Sequence, residues 1–145
     1  MGKHICYGGA DVQGSLANLG ILLVRMFLGF GMLTMGIMKI PPSPEFIAMV
    51  DGMGFPNAPA FSWVAAVFET VGGGLLILGL FTRWASLMVL GVIITALVGV
   101  HLDDTFKVQF LPLLVAFNAF QFLLLGAGKF SIDYLMCRKS EGPQI

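Results

Sequence analysis

Two charged side chains interrupt long apolar stretches of this 145-residue chain, Arg25 and Glu69. An isolated charge in hydrocarbon costs several kcal/mol or more, so such residues pair, line a polar cavity, or handle protons and ligands. Asn118 and Gln121 stand in another apolar stretch, at a spacing that puts both on one helical face. The four side chains form a candidate intramembrane polar layer, able to bind the head of a lipid-soluble ligand or relay a proton. Lys39 and His101 fall at the ends of apolar stretches and, with Asp103 and Asp104, are candidates for an outer entrance. No HExxH, nucleophile–base triad or Gly-rich phosphate loop is present. Cys6 and Cys137 stand near opposite ends without a CxxC, so no metal site or disulfide framework is expected.

The elements that must position these residues are read from composition. Hydrophobic residues make up 57% of the chain and charged residues 11%, against about 25% charged in a soluble domain. Mean hydropathy is +0.91. A soluble domain of this size cannot hide so much apolar surface, and disorder carries the opposite signature. Eight Lys and Arg balance eight Asp and Glu, so no basic excess exists for nucleic acid. A spanning helix needs roughly 20 apolar residues. Four stretches qualify: about Leu16–Met38, Ala60–Leu80, Trp84–Leu102 and Val108–Ala127. The expected fold is all-α, an integral membrane four-helix bundle in contact with the lipid bilayer. The expected organisation is an amino-terminal segment 1–15, a four-span domain 16–136 and a tail 137–145.

Short polar turns join spans two to three and three to four, which makes successive helices antiparallel neighbours. The 21-residue connection from Lys39 to Pro59 is longer. Within it, Ser43-Pro44-Glu45 reads as N-cap, first-turn proline and first-turn acid. This predicts a short surface helix between spans one and two, with plain coil as the alternative. The amino terminus lacks the pattern of a cleaved signal, so the first span is expected to be retained. Five Lys and Arg flank the spans on the side of the termini and two on the other. The positive-inside rule then places both termini in the cytoplasm, in a bacterial inner membrane.

Depth follows from the 1.5 Å rise. Counted from the inner ends of their spans, Arg25 and Asn118 lie about 14 Å deep and Glu69 about 16 Å. Equal depth on antiparallel neighbours predicts an Arg25–Glu69 ion pair facing the bundle interior. Such a pair serves either function or helix register alone.

The assembled residues resemble a known family. The first span reads "LLVRMFLGFGMLTMGIMKI", with Arg25, Gly36 and Lys39. The second, with the turn after it, reads "FETVGGGLLILGLFTRWASL", with Glu69, Thr82 and Arg83. The third ends in His101, and the fourth is followed by "GAGKFSIDYL", with Ser131 and Asp133. This pattern resembles the DoxX family of small four-helix membrane proteins over about Leu19–Leu135. The family includes the DoxD subunits linked to thiosulfate:quinone oxidation and to quinol oxidase complexes. The resemblance implies a subunit associated with a quinone-linked redox complex, with quinone as ligand and protein partners or further copies of the chain around it. It carries Arg83 and Asp133 onto the family's polar positions on the cytoplasmic side. The extra polar outer region of a thiosulfate-handling subunit is absent, so the implication stops short of thiosulfate. A non-catalytic accessory subunit and a small transporter are the alternative expectations.

Overall fold

The structure is a computed structural model that describes residues 14–100 and 104–140. Its helices are α1 (Ser15–Met38), α2 (Pro44–Gly52), α3 (Ala58–Leu78), α4 (Thr82–Gly99), α5 (Phe106–Leu125) and α6 (Ile132–Ser140). Helices α1, α3, α4 and α5 are each long and apolar enough to cross a membrane. The all-α four-span expectation therefore holds. Each boundary has a local cause. Asn57 caps α3 by accepting from Ala60 N–H, with Pro59 in the first turn, so α3 starts two residues earlier than its apolar run suggests. Gly126 at φ +76° ends α5 two residues early.

Helix α2 forms as its caps require. The Ser43 hydroxyl accepts from Phe46 N–H at 3.2 Å, Pro44 opens the first turn and Glu45 faces the dipole. Hydrogen bonding by its own backbone, and then by the Ser43 hydroxyl, holds the exposed Glu45 carboxyl below its ordinary pKa. Helix α6 crosses the expected boundary at 136/137 and runs to Ser140.

In sequence order each span packs on the next, α1 on α3, α3 on α4 and α4 on α5, while α5 returns to α1 only slightly. Leu28, Met32, Leu76, Ala85, Val89, Ala119 and Phe122 form the shared core. The tightest seam is α1 on α3. A Cβ added at Gly29 would lie 2.8 Å from Gly73 O, and one at Gly36 would strike the Thr70 backbone. Absent side chains let the two backbones touch.

That seam fixes an offset. Gly36 lies opposite Thr70, Gly29 opposite Gly73 and Ile77, and Gly79 against Arg25. Helix α3 therefore runs about 14 Å past the end of α1 on one side, and α1 runs about 18 Å past the end of α3 on the other. The first step is filled by α2, which packs on α3. The second is filled by the segment after α5 and by α6.

The seam makes a prediction for adjacent glycines. Gly73 is in backbone contact, whereas a Cβ on Gly74 would meet nothing within 4 Å. Gly73→Ala should destabilise the bundle by about 1–3 kcal/mol. Gly74→Ala should be neutral or stabilise by up to about 1 kcal/mol through helix propensity. Detergent-titrated unfolding of both variants is the check.

Candidate functional site

Lys39 follows the last residue of α1, which closes as the Lys39 N–H donates to Gly36 O and the Ile40 N–H to Ile37 O, each at 3.1 Å. The offset brings its ammonium onto Glu69 of α3. Nζ donates to Oε1 at 2.6 Å and to Oε2 at 2.7 Å. The Glu69 side chain is only 3% exposed and that of Lys39 is 32% exposed, so the pair is open from the lysine side. The same ammonium stands 5.2 Å from the centroid of the Phe46 ring of α2, within cation–π range.

The pair borders a half-open cavity of about 390 Å³ between α2, α3 and α4. Phe46 and Val50 of α2, Met53 just after it, Phe68 of α3, and Met88 and Val92 of α4 are among its walls. Lys39 and Glu69 are the ionic groups among the described residues that line it. Thr95 also faces it, but its hydroxyl donates to Gly91 O of its own helix. An apolar chamber with one ion pair can hold a flat or chain-like apolar body with a polar head. His101 and Asp103, expected near this entrance, lie outside the described residues; Val100 lines the cavity and Asp104 is exposed.

The expected Arg25–Glu69 pair does not form. The depth estimate treated the inner ends of spans one and two as level, and the offset makes them unequal. Arg25, 1% exposed, instead reaches the segment after α5. Nη1 donates to Ala127 O, and Nη2 donates to Phe130 O at 2.6 Å. Nε is buried without a hydrogen-bond partner among the described residues.

The other residues at this end serve the backbone. The Asp133 carboxylate accepts from Phe81 N–H at 2.8 Å and Thr82 N–H at 3.0 Å, capping the start of α4. Phe81 has φ +47°, a left-handed conformation that a bulky residue adopts only under constraint. Arg83 Nη2 reaches Leu124 O at 3.4 Å. The Ser131 hydroxyl of the family motif accepts from Tyr134 N–H at 3.2 Å. One contributor went unread in the sequence: Asn18, whose Oδ1 accepts from Lys129 N–H at 2.9 Å. Asn18 carried a signal, an amide one turn inside an apolar helix.

Asn118 and Gln121 do share a face of α5, but it is the wrong one for the polar layer. The bundle receives Ala119 and Phe122. Gln121 is exposed, and the half-buried Asn118 donates Nδ2 to Leu114 O of its own helix. The four-residue layer therefore does not assemble.

Fold and site together define a small four-span membrane protein with an ion-paired cavity at one end and a backbone-locked motif at the other. The chain belongs to the DoxX family, whose model matches residues 20–102. The match takes in Arg25, Lys39, Glu69 and Arg83 and ends before Asp133. A protein of Haemophilus influenzae described as uncharacterized is 30% identical, over 86% of this chain and 88% of that protein. No solved structure matches.

Lys39→Met should cost about 3 kcal/mol of stability, because it leaves Glu69 buried and unpaired, and Lys39→Met/Glu69→Met should recover much of that loss. Equally mild single and double variants in detergent-titrated unfolding would contradict the pairing. Asp133→Ala should cost about 1–2 kcal/mol through the lost cap on α4, measured in the same way.

Proposed function

We propose that the chain is a membrane subunit of a quinone-linked redox assembly and that the α2–α3–α4 cavity receives the quinone head. One observation carries this reading: an apolar cavity of about 390 Å³ whose described lining has a single, half-open ion pair. Two of the three Lys39 protons engage Glu69, which leaves one N–H for a ring carbonyl. An ammonium makes a stronger hydrogen bond than a neutral donor. The aromatic and methionine walls suit a flat ring and the start of an isoprenoid tail. Electrons come from a cofactor on a partner subunit.

The excess of Lys and Arg beside the termini supports an orientation with both termini in the cytoplasm of a bacterial inner membrane. The cavity then opens toward the outer leaflet. A second reading, an accessory subunit that binds no quinone, is favoured by one observation. Arg25, Arg83 and Asp133 all reach backbone groups, as a scaffold requires.

Titration of a short-chain quinone into nanodisc-embedded protein separates the two. The proposal expects saturable binding, weakened at least tenfold by Lys39→Met and unchanged by Phe120→Ala on the outer face of α5. Absence of saturable binding to the wild-type chain favours the scaffold.

A further inference from the structure

Helix α5 is the least enclosed of the four spans: 11% of the residues in its most apolar window are buried, against 33% for α1 and α3. Its outward face carries Gln121, exposed and without a hydrogen bond to any described residue. The residue lies four positions from the end of α5 at Leu125, about 6 Å inside the helix. Phe117, Phe120 and Leu124 around it are 69%, 48% and 55% exposed. With Asn118 and Leu125 they form a shallow groove. A carboxamide with two donors and an acceptor, set among phenyl and leucyl groups inside a spanning helix, has no partner among the described residues, and lipid chains offer none.

We propose that this face is where two copies of the chain meet, related by a two-fold axis along the membrane normal. The chemistry of the side chain selects the occupant. Copies inserted with the same orientation pack their α5 helices in parallel, so each residue near the axis meets its own counterpart. A charge placed there would meet a like charge, whereas a carboxamide meets a carboxamide, which is self-complementary as donor and acceptor. Gln121 bonds Gln121 of the second copy. Asn118, toward the other end of the helix on the same face, has spent a donor on Leu114 O but keeps its own carbonyl oxygen for the interface. Phe117, Phe120 and Leu124 supply the packing around the amides. The proposal does not depend on what the Lys39–Glu69 cavity binds.

The test uses the full chain in lipid vesicles, carrying fluorescent fusions, with energy transfer followed as lipid dilutes the protein. The expected result is a reversible dimer. Gln121→Leu should raise its dissociation constant by roughly three- to tenfold, and Gln121→Asn should recover part of the loss. In a chain with Cys6→Ser and Cys137→Ser, Gln121→Cys should crosslink to itself under oxidation, and Phe27→Cys on α1 should not. A wild-type chain that stays monomeric at every dilution overturns the proposal. So does dimerisation indifferent to Gln121→Leu, or a Gln121→Cys chain that dimerises without crosslinking to itself. Quinone binding by Gln121→Leu should equal that of the wild type, so this proposal and the assignment of the cavity fail separately.

Discussion

The close approach of α1 and α3 governs the rest of the molecule. Gly29, Gly36 and Gly73 let two helical backbones touch, and contact at backbone distance permits little sliding. The register so fixed is offset by about ten residues. That offset decides which charge meets which. It puts Lys39 on Glu69 and moves Arg25 away to the far end of α3. It also leaves a step at each end of the bundle, and the chain fills the two steps differently.

At one end the step is roofed by α2, and the space beneath it stays partly empty. The ion pair there is half solvated from the lysine side, which lowers its desolvation cost and leaves a donor available. At the other end the step is filled by backbone. Arg25 sits where the last turns of α3 and α5 converge, and unsatisfied carbonyls and the negative ends of two helix dipoles gather there. A guanidinium held by Ala127 O and Phe130 O needs no carboxylate in direct contact. Asp133, close by, is used instead to cap α4 across the left-handed Phe81. One end thus keeps an open space, and the other is filled by backbone.

The four spans were legible because a run of about twenty apolar residues has few other fates. Helix α2 was legible from Ser43-Pro44-Glu45, since a cap is local chemistry. The partners of Arg25 and Glu69 were not. Leu16–Val24 is as apolar as any spanning segment, so nothing in that run shows that it extends past the end of its neighbour. The offset is written in which glycines face one another, and a three- or four-residue glycine period allows several registers. Asn118 and Gln121 mark the same limit. Their spacing shows that they share a face, but Ala119 and Phe122 share another at the same spacing, and only packing chooses between them. Lys39 and Glu69 were each singled out from sequence, and their pairing came from the fold.

The central claim is that the glycine seam delivers Glu69 to Lys39 and not to Arg25. Solid-state NMR dipolar recoupling on the bilayer-embedded chain tests it directly, with the Glu69 carboxyl carbon observed against selectively labelled side-chain nitrogens. The account predicts strong dephasing by lysine Nζ, abolished by Lys39→Met, and none by arginine. Dephasing by the arginine guanidinium that disappears in Arg25→Met would contradict it.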